Sequence, residues 1–237
     1  MSKTYVIGHI NPDTDTIAAA TGYAWLLNER DDSAVLAARA GTLNMQTAWV
    51  LKHLGLDAPI LLNDASPRFE TLVRRLDTTD PDAPLREAWA IASRTGGVAP
   101  VVDADGKPFG LITGGSIFAY MGEVVGAHSK KQEMKISDLL DAPCREACNM
   151  DVPQLKASGR IRDSISRLLR YEGDHFFVVN ENGVYKGVCR QRDALNPPRL
   201  KIIMVDHNEA RQALAHLEEA ELIEILDHHR LGNPSTH

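Results

Sequence analysis

Three short runs of acids and imidazoles carry the chemistry open to this sequence. The first is Gly8-His9-Ile10-Asn11-Pro12-Asp13-Thr14-Asp15, which offers His9, Asp13 and Asp15. The second is Asp206-His207-Asn208 and the third Asp227-His228-His229. Carboxylate and imidazole without thiolate suit a hard or borderline divalent ion (Mn2+, Mg2+ or Co2+) better than structural zinc. One ion needs only about three or four protein ligands. More than that are available here, and a carboxylate such as Asp206 can bridge two ions. Two ions roughly 3.5–4 Å apart would hold a hydroxide and clamp a phosphoryl group for in-line attack. Lowering the pKa of the attacking water is the central contribution, and neutralising a polyanionic substrate is the second. Nearby imidazolium groups would stabilise the leaving phosphate. Each run alone has a plainer reading: an Asp after Asn-Pro is a common turn or cap residue, and Asp15 could simply cap a helix. The recurrence of such runs after apolar strands selects the metal reading.

The elements that must position these residues are legible. Tyr5-Val6-Ile7 reads as a strand, and Ile17, Ala20, Ala24 and Leu27 then recur at helical spacing. A strand from Ala34 to Ala38, a helix from Asn44 to Leu54 and a strand from Pro59 to Leu62 follow. This alternation predicts an α/β fold with a parallel, doubly wound sheet. The pattern breaks after Ala65 and resumes at Leu200. Lys201–Val205 forms a buried-type strand running into Asp206. A helix with Ala210, Ala213, Leu214 and Leu217 on one face is expected next, then a strand, Leu222–Leu226, running into Asp227. Residues 1–65 and 200–237 are therefore expected to form one domain interrupted by 66–199, with Pro197-Pro198 at the return. Ligands of an open parallel sheet bind beyond the carboxyl ends of its strands, so the three runs should share one edge.

The interruption contains an internal repeat. Pro100–Gly106 matches Phe177–Gly183 at an offset of 77 positions, and Gly110-Leu111-Ile112 falls on Gly187-Val188-Cys189. Each copy reads as a β-hairpin turned by Asp-Gly or Asn-Gly. A preceding amphipathic helix is expected in each, on Leu85, Ala88, Trp89 and Ala92 or on Ile161, Ile165, Leu168 and Leu169. The copies span about 66–125 and 136–199, and their pairing predicts a pseudo-twofold α+β module with a cleft.

Composition narrows the setting. The chain has 237 residues, a net charge of −6, 43% hydrophobic and 5% aromatic residues, which excludes wholesale disorder. The acidic balance argues against a nucleic-acid surface. No apolar run reaches the ~20 residues of a membrane helix, and no signal-peptide pattern opens the chain. Cys144, Cys148 and Cys189 are too few for a disulfide framework, so a reduced, cytoplasmic protein is expected.

The ordered series Gly-His-Ile-Asn-Pro-Asp-Thr-Asp-Thr-Ile (8–17), Val-Asp-His-Asn-Glu (205–209) and Asp-His-His-Arg (227–230) closely resembles the manganese-dependent family II inorganic pyrophosphatases. These belong to the phosphoesterase superfamily named for its Asp-His-His motif. Thr14 favours the pyrophosphatase branch over the nuclease and cyclic-dinucleotide branches. The resemblance implies hydrolysis of pyrophosphate to two phosphates with two or more Mn2+, Mg2+ or Co2+ ions. It implies one ion at His9, Asp13 and Asp206 and a second at Asp15, Asp206 and His228. His229 and His207 would act on the phosphates, and Asp227 would orient an imidazole. His53, His128 and His216 match no motif and are expected to be surface or packing residues.

The repeat resembles a tandem cystathionine-β-synthase-type (CBS) pair, a module that commonly binds adenine nucleotides and is inserted in a subset of these pyrophosphatases. The resemblance implies regulatory AMP, ADP or ATP and a homodimer. Its Gly-x-x-Thr/Ser-x-x-Asp signature is split between the copies: Gly110 and Thr113 keep the hydroxyl, whereas Gly187, Arg190 and Asp193 keep the acid. One composite nucleotide site is expected, with Val98 and Phe176 beside Thr113, Arg190 and Asp193. The family also implies a further Asp ligand and a basic C-terminal domain that this sequence does not show. Ser129-Lys130-Lys131-Gln132 only superficially resembles that domain's motif and is expected to be solvated. Pyrophosphate hydrolysis by the chain alone is therefore expected to be weak, and a sensor without hydrolysis is the alternative.

Overall fold

Val6 and Ile7 are wholly shielded from solvent in the central strand of a five-stranded parallel sheet. The structure, a computed structural model, describes residues 3–31, 34–125 and 135–231. In chain order the elements begin with β1 (Thr4–Ile7), α1 (Thr14–Asp31), β2 (Val35–Arg39), α2 (Met45–Leu54) and β3 (Ile60–Leu61). Next come α3 (Leu85–Thr95), β4 (Val98–Val102), β5 (Pro108–Thr113), α4 (Gly114–Val125) and α5 (Ile136–Asp141). Then follow β6 (Gln154–Lys156), α6 (Ile165–Arg170), β7 (His175–Val179), β8 (Tyr185–Arg190), α7 (Gln191–Leu195), β9 (Lys201–Val205) and β10 (Glu221–Leu226). Two compact units divide the chain, residues 1–67 with 198–237 and residues 68–197.

The first unit is built on a sheet of order β10-β9-β1-β2-β3 with every pairing parallel. Alternation decides which side chain meets which layer. Val6, Ile203 and Val205 pack against Ala20, Ala24 and Leu27 of α1. Ile7, Ile202 and Met204 point the other way, onto Ala65, Ala213 and Leu214. Strands buried on both faces read as the unbroken apolar runs seen here. Chain order runs outward from β1 on both sides, which opens a crevice beyond the carboxyl ends of β1 and β9.

The helix expected on Ala210–Leu217 is absent. Ala213 and Leu214 are buried, but the segment holds only two short 3-10 turns, Ala210–Gln212 and Leu217–Glu219. Its backbone is committed elsewhere: Ala215 N–H donates to Asn63 O at 3.0 Å, and Ala215 O accepts from Ala65 N–H at 2.9 Å. His216 adopts a left-handed conformation, φ 57°, which ends any helix. Nor is His216 a bystander, since its Nδ1 lies 3.2 Å from Asp64 Oδ1. The strand expected from Pro59 to Leu62 shrinks to β3. His53 stacks on Trp49 with ring centroids 4.9 Å apart.

In the second unit the two hairpins are equivalent in detail. β4 pairs antiparallel with β5, and β7 with β8, and each pair is interrupted at matched positions, Val101/Val102 and Val178/Val179. The turn glycines Gly106 and Gly183 both have positive φ, 75° and 79°. A second repeat, invisible in the sequence, is an exchange of leading segments. Arg74 bridges antiparallel to Val188 of the second copy, and Asn149 to Leu111 of the first. Phe69 and Leu72 accordingly sit in the core of the second copy, and Cys144 and Ala147 in that of the first. This crossing explains Gly110 and Gly187. A Cβ would lie 2.5 Å from Cys148 Sγ at Gly110, and 2.5 Å from Arg74 O at Gly187.

The amphipathic faces needed correction. Trp89 is 58% exposed, and Ile91 takes its place in the core. In the second copy the helix is reduced to α6 after a 3-10 turn, and Leu169 is exposed. Cys144 and Cys189 are buried and Cys148 is half-buried; all are free thiols. His128 and the Ser129–Gln132 run lie outside the described residues.

Candidate metal centre

The three acid–imidazole runs leave the sheet at the ends of β1, β9 and β10. The first is shaped by the start of α1. Asp13 caps that helix, its Oδ1 accepting from Thr16 N–H at 3.0 Å. This bond, with help from the nearby His9, holds the Asp13 carboxyl below the usual carboxylate range against a smaller desolvation penalty. The other oxygen, Oδ2, lies 4.0 Å from His9 Nε2.

Asp206 is the pivot. Its backbone is left-handed, φ 62°, a conformation that Asp tolerates better than most residues. The amide N–H donates to Leu226 O at 3.0 Å, which ties the end of β9 to the end of β10. The side chain is only 5% exposed and faces both ways. Oδ2 lies 3.5 Å from His9 Nε2, and Oδ1 lies 3.1 Å from His228 Nε2. Asp15 Oδ2 approaches His228 Nε2 at 3.6 Å. Two sets of ligand atoms converge within 4.8 Å among the described residues: His9, Asp13 and Asp206, and Asp206, Asp227, His228 and His229. Asp206 belongs to both, and Asp15 borders the second through His228.

Asp227 holds its neighbours. Its Oδ1 accepts from the His229 backbone N–H at 3.2 Å and lies 2.7 Å from His229 Nδ1. Asn208 Nδ2 donates to the other carboxylate oxygen and to Arg230 O. Burial opposes ionisation of Asp227, but these bonds outweigh it and hold the carboxyl low. The same contact raises the pKa of the exposed His229 imidazole.

His207 differs from the other imidazoles. It is 3% exposed, and Nδ1 donates to Val205 O at 2.9 Å. Burial lowers its pKa, so the ring is held neutral, and its buried Nε2 has no hydrogen-bond partner among the described residues. His207 and His229 share a cavity of about 320 Å³ with Asn208, Gln212, Asp227 and Arg230. Thr16, Asn208 and Arg230 were not singled out in the sequence. Asn208 and Arg230 stand inside the motifs; Thr16 carries no charge, and only its contacts mark it.

This donor set fits divalent ions: a buried carboxylate faces imidazole nitrogens on both sides, and further carboxylates stand at its flanks. The family described as DHH family, N-terminal domain, matches residues 3–237. The chain belongs to the DHH family. A cobalt-dependent inorganic pyrophosphatase of Clostridium perfringens is 24% identical to this DHH chain over 338 residues. That match covers 98% of the chain and 61% of the relative. A manganese-dependent inorganic pyrophosphatase of Methanothrix thermoacetophila is 41% identical over 69 residues, 29% of the chain and 22% of the relative. The DHH chain thus spans 62% or 61% of the relatives it matches end to end. A CBS domain-containing protein of Bacillus anthracis covers 54% of the chain and 89% of its own length, with TM-score 0.45 and 18% identity.

The nucleotide-site candidates lie in the second unit. Thr113 uses its hydroxyl to accept from Ser116 N–H at 3.2 Å, at the start of α4. Val98 and Thr113 line a cleft of about 290 Å³ with Gly96, Gly97, Tyr171 and His175, so both copies contribute walls. An Arg190 guanidinium nitrogen reaches to 4.0 Å from where a Gly96 Cβ would stand. Asp193 lies 3.7 Å from Arg192 Nε. Phe176 does not belong with them. It is fully buried beside Tyr171 in the core of the second copy, on the opposite side of the strand from His175, which lines the cleft.

Proposed function

We propose that this chain carries the ion-holding residues of a metal-dependent inorganic pyrophosphatase, in which water splits pyrophosphate into two phosphates. The observation that carries the reading is the buried Asp206 carboxylate, with one oxygen toward His9 and the other toward His228. On this reading His9, Asp13 and Asp206 hold one ion, and Asp15, Asp206 and His228 hold another. Bound there, Mn2+ or Co2+ supplies an activated water at neutral pH and charge to offset the pyrophosphate. Asp227 holds His229 in one orientation and favours its protonated form, suited to donate to a phosphate oxygen. His207, which borders the same cavity, stays neutral, its Nε2 left as an acceptor. Arg230 is that cavity's one lysine or arginine among the described residues, so turnover by this chain is expected to be slow.

Calorimetric titration with Mn2+ tests the reading. A stoichiometry of about two ions is expected, with both lost in Asp206→Asn. Full binding by Asp206→Asn, or no binding by the unaltered chain, overturns it. Any phosphate released from pyrophosphate should require the metal and vanish in the same variant.

The second unit is read as a regulatory adenine-nucleotide module of CBS type. Support comes from the two-walled cleft bearing Thr113 and from Arg190, suited to a phosphate group. AMP, ADP and ATP are the probes. Arg190→Ala should weaken binding at least about tenfold, the loss expected for one charge-assisted bond. An unchanged affinity counts against the site.

A further inference from the structure

Thr16 touches every member of the His9–Asp13–Asp206 group, although it is neither acid nor imidazole. Its hydroxyl donates to Asp206 Oδ2 at 2.5 Å. A carboxylate can only accept, so the hydroxyl oxygen is left to accept from His9 Nε2, 2.7 Å away. Its backbone N–H donates to Asp13 Oδ1. The residue is 0% exposed, and its position is enforced from the far side. At Gly8 a Cβ would come within 2.1 Å of Thr16 Cγ2. Glycine at position 8 therefore makes the room that Thr16 occupies, and Thr16 cannot swing away without leaving a void.

We propose that Thr16 is a positioning residue of the metal centre: its hydroxyl fixes the rotation of the Asp206 carboxylate, while its bond with His9 Nε2 is one that an ion taken by that nitrogen would replace. The inference rests on reading this cluster as an ion site. The physical argument is pre-organisation. Asp206 must present Oδ2 to one group and Oδ1 to the other, and a free carboxylate rotates between many such settings. A buried hydroxyl bonded to one oxygen selects a single setting before any ion arrives, so binding does not have to order the side chain. Hydrogen-bonding partners behind metal ligands typically contribute ~10–100-fold in affinity.

The experiment compares Thr16→Val, which keeps the methyl over Gly8 and loses the hydroxyl, with Thr16→Ser, which does the reverse. Co2+ is the probe, because its visible absorption band reports ligand geometry as well as occupancy. Thr16→Val is expected to weaken Co2+ binding by ~10–100-fold and to change the band. Thr16→Ser is expected to stay within a few-fold of the unaltered chain, with the band retained. Should Thr16→Val not fold, Thr16→Ser and Thr16→Ala replace the pair, since they differ only in the hydroxyl oxygen. Equal binding and an unchanged band without the hydroxyl overturn the proposal. So does Thr16→Ser failing as badly as Thr16→Val, which would make the residue a packing element. If the unaltered chain takes up no Co2+, the ion-site reading falls and this inference falls with it.

Discussion

Two imidazoles near Asp206 are tuned in opposite directions, and each makes a measurable claim. His229 is raised above its ordinary value by Asp227. In an NMR titration of the metal-free chain, His229 should titrate above an ordinary imidazole, and Asp227→Asn should bring it down. A raised imidazole stabilises the fold fully below its unfolded pKa, and that stabilisation fades as pH rises through the folded value. Exposure keeps the effect small. His207 is the reverse case, since burial lowers its pKa below the ordinary 6.5. Between the folded and unfolded values the unfolded chain binds the extra proton, so stability should fall as pH drops below about 6.5. Urea midpoints at pH 5.5 and 7.5 test this. The gap between them should narrow in His207→Gln, and an equal gap in that variant removes His207 as the cause.

At the scale of elements, the exchanged leading segments decide what each copy tolerates. Gly187→Ala forces a Cβ against Arg74 O and Val73. It should cost about 1–3 kcal/mol in denaturant unfolding, the usual range for overpacking. Gly110→Ala should behave alike, against Cys148 and Asn149. An unchanged midpoint in both would mean that the segments yield easily. Phe176→Ala should cost about 3–5 kcal/mol, as for other buried aromatics. The milder Phe176→Leu should leave AMP affinity intact, and a tenfold weaker affinity would return Phe176 to the cleft. Glycines that resemble half of a ligand signature thus have a packing explanation of their own. The sequence showed them at matched positions but gave no sign of the segment crossing over each, because that partner is remote in sequence.

For the whole molecule, two compact units imply two separable responses. Mn2+ at about 100 times its Kd should stabilise the unit that binds it by roughly 2.7 kcal/mol. Hydrogen exchange should then slow in β1, the start of α1 and β9, while amides of residues 68–197 remain as they were. Protection spread evenly over both units would show that they unfold as one. No described helix is long and apolar enough to cross a membrane.

Sequence alone determined the elements whose signal is local. Apolar runs buried on both faces announced β1 and β9, and the helical spacing of Ile17, Ala20, Ala24 and Leu27 announced α1. The candidate ligands were legible because carboxylates and imidazoles after strands are chemically conspicuous. Tertiary structure decided what depends on partners far along the chain. The stretch from Ala210 to Leu217 has helical spacing, yet its backbone bonds go to Asn63 and Ala65, and the helix is lost. Phe176 looked available to a ligand, but the register of β7 turns it into the core. Thr16 has no chemistry of its own to flag it. Its importance arises only when β9 lies beside β1 and brings Asp206 within hydrogen-bonding reach across 190 positions of chain. Local patterns fix propensity and residue chemistry, whereas contacts of high sequence separation exist only once the sheet has assembled.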